Sequence, residues 1–310
     1  MLLETTKKTY RQCFPANANP YISEGFLSLN EHKADKIIRL MKDDDPTIGL
    51  IAGIKDNTLS SPFSAPFGGF HYSHEYLAYD AVFQFISDLK EYASTQKLDS
   101  ISITLPPDIY QVNMNAKFVN AFIRNGYEMS VPNITHWINL PDFDGTWNKS
   151  NIGQKCRKAI KNQLTFEEAT NETSKREAYD VIHTNRIVQE RNIYMTFEDV
   201  MRVNEVMPVD FLLVRDNNGE AIGAGVFYRG HEKIIQGIFM GDVIEKRNLF
   251  IMDYMYMKFY EHYKNLNYKY IDLGTSSSDG DPNIGLVRFK EIHNCASSLK
   301  YTFTWSPHTP

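Results

Sequence analysis

Short apolar runs alternate along this chain with longer stretches in which apolar residues return every three or four positions. In the first half, Thr47 to Ile54 (TIGLIAGI) is a nearly continuous apolar run, the pattern of a buried strand. After Lys55-Asp56-Asn57 a second extended segment ends in Ser64-Ala65-Pro66-Phe67-Gly68-Gly69-Phe70. Tyr76, Leu77, Val82, Phe83, Phe85, Ile86 and Leu89 then recur at helical spacing and predict a long helix over 74–97. Ser100 to Leu105 (SISITL) reads as a strand stopped by two prolines. A shorter helix is expected over 115–125, with Gly126 as its C-terminal stop, and an extended stretch over 134–140.

The second half repeats that order. Phe211 to Val214 is a strand, and Asp216-Asn217-Asn218-Gly219 turns it into Ala221 to Tyr228 as a hairpin. Lys233 to Met240 (KIIQGIFM) is a further strand. A helix over 249–265 shows Ile251, Met252, Met255, Phe259 and Tyr263 on one stripe. Tyr270 to Leu273, a loop over 274–283, a helix over 284–293 and a last strand over 299–305 complete it. The two long helices begin about 170 residues apart, too long a period for a solenoid and fitting a domain duplication. Helices over 174–190 and 196–205, the latter with Thr196 as N-cap, belong only to the second copy. Their expected partial counterpart lies at 29–41. Turn formers at Pro141-Asp142-Phe143-Asp144-Gly145 place the boundary, giving domains 1–141 and 142–310.

Composition narrows the class. With 310 residues, 42% of them hydrophobic and 23% charged, disorder and fibrous folds are excluded. A net charge of -5 argues against nucleic-acid binding by bulk charge, while leaving room for a local basic patch. Cys13, Cys156 and Cys295 fit neither a disulfide framework nor a zinc spacing, which points to a reducing, cytoplasmic setting. No apolar leader opens the sequence and no segment reads as a membrane span. The nine histidines show no metal-ligand spacing, so no metal is expected.

Chemistry concentrates near the C-terminus. Asp272-Leu273-Gly274-Thr275-Ser276-Ser277-Ser278 leads to Asn283-Ile284-Gly285-Leu286 and then Arg288-Phe289-Lys290. A strand thus ends in small hydroxyl residues, and a helix starts with free backbone N–H groups beside two cations, a place for a phosphate or carboxylate. The same residues also describe a solvated loop capped by Asn283, with Phe289 in the core and Arg288 and Lys290 in water. Phe67-Gly68-Gly69 permits close approach of a ligand, or forms a bulge. The run Lys155 to Lys161 sets Arg157, Lys158 and Lys161 on neighbouring helix faces, for a phosphorylated partner or for solvent. Glu291, Tyr254, Asp272 and His293 are all conceivable bases, and spacing singles out none, so the catalytic residues stay unassigned.

These segments resemble the GNAT-type acyltransferases of the Fem peptidyltransferase branch. The likeness rests on the Gly/Ser loop followed by Phe289-Lys290-Glu291, on Ser61-Pro62…Phe67-Gly68-Gly69, and on the basic helix Lys155–Lys161. It implies a mixed α/β (α+β) chain of two GNAT-like domains, each a twisted mixed sheet flanked by helices. It implies transfer of an acyl or aminoacyl group onto an amine, from acyl-CoA or aminoacyl-tRNA. The acceptor would be a small molecule or a cell-wall precursor, with tRNA as a further partner. Donor or substrate contacts would fall on Phe67, Gly68, Gly69, Ser276, Ser277, Asn283, Gly285, Arg288 and Lys290. Phosphates would meet Lys246, Arg247 and Arg157, although the loop after Gly241 lacks the glycines of the usual acetyl-CoA loop. The alternative is a non-catalytic ligand-binding or scaffold protein of the same fold.

Overall fold

The computed structural model describes residues 1–15, 19–44, 46–74 and 76–307. The first half comprises β1 (Leu2–Glu4), α1 (Lys7–Cys13), α2 (Glu24–Asn30), β2 (Lys36–Lys42), β3 (Ile48–Lys55), β4 (Thr58–Ser61), β5 (Phe70–Tyr72), α3 (Tyr79–Thr95), β6 (Ser100–Thr104), α4 (Asp108–Arg124), β7 (Glu128–Met129) and β8 (Asn133–Asn139). Then follow α5 (Ser150–Lys161), β9 (Thr165–Glu168), α6 (Glu172–Val188), α7 (Phe197–Asn204), β10 (Val209–Arg215), β11 (Ala221–Tyr228), β12 (Ile234–Asp242), α8 (Ile251–Asn265), β13 (Tyr270–Thr275), β14 (Ser277–Ser278), β15 (Asp281–Pro282), α9 (Ile284–Ile292), β16 (Ala296–Lys300) and β17 (Thr302–Trp305). Expectations fail locally at two places, the first being the helix expected over 115–125, which begins already at Asp108. Of residues 29–41, only those up to Lys33 are helical, as the end of α2 and a following 3-10 turn. From Lys36 the stretch forms β2, because Ile38 and Leu40 are buried with the period of two that a strand imposes.

The chain divides into two compact units. The first holds Met1–Ile134, Ser277–Asp281 and the tail from Ser298; the second holds Thr135–Ser276 and Pro282–Ser297. The division therefore departs from the boundary expected at residue 141. Residues 135–139 belong to the second unit, where β8 pairs antiparallel with β13. The tail belongs to the first, where β17 pairs antiparallel with β6 and Phe303 stacks on Phe122 at 4.6 Å. Alternating apolar residues mark a strand, but only the available hydrogen-bonding edge decides which sheet receives it.

The sheet of the first unit runs β1-β2-β3-β4-β6-β17-β7, with β5 also paired to β3. The other large sheet runs β16-β8-β13-β12-β11-β10-β9. Each contains an antiparallel ladder followed by one parallel pair bridged by a long helix. These pairs are β4–β6 across α3 and β12–β13 across α8. Helix α3 buries Val82, Phe85, Ile86 and Leu89 against the first sheet, and α8 buries Met255, Phe259 and Tyr263 against the second. Helix α6 approaches so closely that a Cβ on Gly241 would lie 3.0 Å from the Ile182 Cα, so a side chain there would push helix and β12 apart by a few tenths of an ångström.

Candidate functional site

In the second unit, β12 and β13 run parallel for three residue pairs and then part. Pairing ends at Gln236↔Asp272, while β12 continues to Asp242 with β11 as its only sheet neighbour among the described residues. Gly237, Ile238, Phe239 and Met240, just beyond the fork, are half-buried. The β11 ladder slips here. Val226 faces Phe239 and Phe227 faces Gly237, so Ile238 has no place in the register and forms a bulge. The fork thus combines an open strand edge with a backbone unit released from its ladder.

Polar groups gather at the fork. The Gln236 Nε2 donates to Asp272 Oδ2 at 3.1 Å, and the other Asp272 oxygen accepts the Gly274 N–H at 2.8 Å. Asp272 is 1% exposed. A carboxylate persists at such depth only because it is paired and hydrogen-bonded. Just beyond it, the buried Lys290 of α9 donates to the carbonyls of Leu273, Gly274 and Thr275 at 2.8, 3.0 and 3.3 Å. One ammonium therefore ties three successive carbonyls at the end of β13. Burial, countered in part by Cys295 and Asp272, pushes the Lys290 pKa down to about 8. Ser276 shares a 2.9 Å hydrogen bond with the fully buried His136 Nδ1 on β8. Burial, with the Lys290 charge adding to it, holds His136 down at about 4, so its ring is neutral.

The sequence candidates separate in this frame. Ser276 and Lys290 stand at the end of β13. Asn283 is exposed and caps α9, its Oδ1 accepting the Leu286 N–H at 3.0 Å, and its own N–H bonds the Ser276 carbonyl. Gly285 and Arg288 are exposed, and Arg288 makes no ion pair among the described residues. Lys290 is not in water as a solvated-helix reading of this stretch requires. Ser277 belongs to the first unit, where its hydroxyl accepts the Ile134 N–H and donates to Asn133 Oδ1.

Phe67, Gly68 and Gly69 also lie in the first unit. The Phe67 ring is buried against Tyr21 and Tyr110 at 5.0 and 4.9 Å. Gly68 donates its N–H to Thr104 O at 2.9 Å and accepts from Asn19 Nδ2 at 2.6 Å. Gly69 adopts φ +108° and donates to Ser61 Oγ at 3.2 Å.

The weak phosphate candidates are largely committed elsewhere. Lys246 Nζ lies 2.8 Å from Asp216 Oδ2 and also pairs with Glu220. Arg247 makes two hydrogen bonds to Asp242, at 2.8 and 2.9 Å, and Asn185 of α6 binds the same carboxylate. Arg157 is exposed on α5 without an ion pair among the described residues. No group of metal-ligating side chains occurs among the described residues, and no helix of theirs is long and apolar enough to cross a membrane.

Of the four conceivable bases, Asp272 alone stands at the fork. Glu291 is exposed, the Tyr254 hydroxyl donates to Leu164 O, and His293 packs beside Asp253. Gln236, His136 and the Ile238 bulge were missed in the sequence. Gln236 and Asp272 carried a signal, since each is a lone polar residue inside an apolar strand, which a buried position has to justify.

No family model matches this chain, and no curated protein matches it. Solved structures do. FemX is 10% identical, covering 99% of this chain and 97% of its own, with a TM-score of 0.70. The L-PGS of Bacillus licheniformis is 13% identical over 97% of this chain and 91% of its own, with a TM-score of 0.60. A tandem GNAT protein from the clavulanic acid biosynthesis pathway, solved without AcCoA, is 8% identical over 100% and 99%, with a TM-score of 0.55. The two mixed sheets with their flanking helices thus form the tandem GNAT fold that these proteins share.

Proposed function

We propose that the chain is an N-acyltransferase that moves an acyl or aminoacyl group onto an amine at the β12–β13 fork. The observation that carries this reading is the fork itself, with an unpaired strand edge, a bulge at Ile238, and Asp272 and Lys290 at its base. An extended donor pairs with the open edge of β12 as an added strand. Its carbonyl oxygen lies toward the backbone N–H released by the bulge, which stabilises the oxyanion as the amine attacks. The new N–C bond forms and the bond from the acyl carbon to the carrier oxygen or sulfur breaks. Asp272 takes the proton lost by the amine and passes it to the departing oxygen or sulfur, so the carboxylate is restored as the carrier leaves. Lys290 ties the carbonyls at the end of β13 and places a positive charge beside the developing anion.

The donor is an acyl-CoA or an aminoacyl-tRNA, and the acceptor a small-molecule or cell-wall-precursor amine. A non-catalytic ligand-holding protein of the same fold is the second reading. It is favoured by one observation, the neutralisation of Lys246 and Arg247 by internal carboxylates in the loop before α8. The test is to incubate the protein with each donor class and a panel of amines, and to follow amide formation by mass spectrometry. Amide formed by the protein and lost in Asp272→Asn supports catalysis. Ligand binding without product supports the second reading.

A further inference from the structure

Helix α9 carries Lys290 and ends in the C-cap residue His293, whose side chain is fully buried. Its ring lies among Phe289, Tyr256 and Trp147 at centroid distances of 4.3, 4.8 and 5.7 Å. The two ring nitrogens meet different partners. Nδ1 lies 2.6 Å from the Phe289 carbonyl oxygen. A carbonyl only accepts, so Nδ1 carries a proton. Nε2 lies 3.2 Å from Asp253 Oδ1 on α8, an ion-pair distance off the line that a hydrogen bond needs. A singly protonated ring would then turn a bare lone pair toward a carboxylate in an apolar surrounding, which is electrostatically unfavourable.

We infer that His293 and Asp253 hold a buried proton between α9 and α8, with the ring as an imidazolium, and that this ion pair positions the Lys290-bearing helix. The other groups facing the pair are consistent with it. Lys155 of α5 reaches the same Asp253 oxygen at 3.3 Å from a side chain one-third exposed, so it compensates the carboxylate only from the solvent side. Cys156 donates to the Asp253 carbonyl at 3.4 Å, and Tyr260 donates to the His293 carbonyl at 2.8 Å while touching Cys295. Burial pushes both thiols up to about 12 and raises Tyr256 and Tyr260 well above their ordinary value, so none of these four supplies a charge. His293 is thus a positioning residue. Its ring braces α9 from behind, while Lys290 on the same helix holds the carbonyls of β13.

The test needs no knowledge of the reaction. In the whole protein labelled with 15N-histidine, NMR at neutral pH is expected to show protons on both ring nitrogens of His293, assigned through its loss in His293→Gln. A ring protonated at Nδ1 alone overturns the inference. Asp253→Asn keeps the side-chain shape and removes the charge. It is expected to return His293 to a single ring proton and to raise the rate at which acetic anhydride labels the Lys290 amine severalfold. Mere packing would leave both readouts unchanged, and an unchanged pair of readouts in Asp253→Asn overturns the positioning role. If that variant does not fold, the wild-type spectrum still decides the proton.

Discussion

The two units build the same parallel pair and finish it in opposite ways. In the first, β4 and β6 pair from Thr58↔Ser100 to Ser61↔Ile103, and the chain itself fills the next position. Gly68 donates to Thr104 O, one residue beyond the last pair, and a Cβ there would lie 2.4 Å from Ser61 Oγ and 2.5 Å from Pro62 N. Phe67 seals the segment into the core at 1% exposure. In the second, β12 passes its last pair with β13 and runs on for six residues with no partner from that strand. Backbone groups in a folded protein must find partners or water. One fork meets that demand with its own loop, and the other leaves the edge for something else to meet. The duplication therefore yields one candidate site.

The largest expected effect is at the open fork. Asp272→Asn, which keeps the shape of the side chain, should slow amide formation by about a hundredfold to ten-thousandfold, the range for loss of a general base. A variant with unchanged turnover removes Asp272 from the mechanism. Lys290→Met comes next, with turnover expected to fall by about a hundredfold in single-turnover assays, typical for losing one oxyanion-stabilising group.

The same lysine sets a pH dependence. The ammonium form is lost as pH rises through about 8, so the rate should fall over that range in the wild type. For stability the sign is reversed. Between about 8 and the ordinary 10.5 the unfolded chain holds more proton at this site than the folded one, so this group's contribution to stability rises with pH there. A rate that climbs steadily through pH 9 contradicts the role of the ammonium.

At the closed fork, Gly68→Ala should cost about 1–3 kcal/mol, because the new methyl meets backbone and a buried hydroxyl that have little room to move. Urea unfolding measures it, and a neutral result means that the segment does not fill the fork tightly. The smallest effect belongs to the loop before α8. Lys246→Ala and Arg247→Ala should change donor affinity less than about threefold, since their charges are already answered by Asp216, Glu220 and Asp242. A tenfold loss of acyl-CoA affinity in calorimetry would show that those pairs open for a phosphate.

Periodicity made α3, α8, β11 and β12 legible to within a few residues, since each has a single buried face or a continuous apolar run. The stretch 29–41 was misread because a few apolar residues spaced three and four apart also satisfy a strand that begins late. At the site, Ser276 and Lys290 were legible as a small-residue loop followed by a cation. Their roles were not, because Lys290 earns its place by reaching three carbonyls of a strand that lies 15 to 17 residues earlier. Gln236 and Asp272 come together only through the register of a parallel pair separated by a whole helix.

By itself the sequence determined most of the element order, the duplication and the mixed α/β class, since these follow from local patterning of apolar residues and turns. Only the tertiary structure decided three further things. It sent the tail from Ser298 to the first unit, closed one fork with Phe67–Gly69, and left the other open above Asp272 and Lys290. Each of these depends on which hydrogen-bonding edge is available at a distance along the chain, and a local pattern carries no record of that.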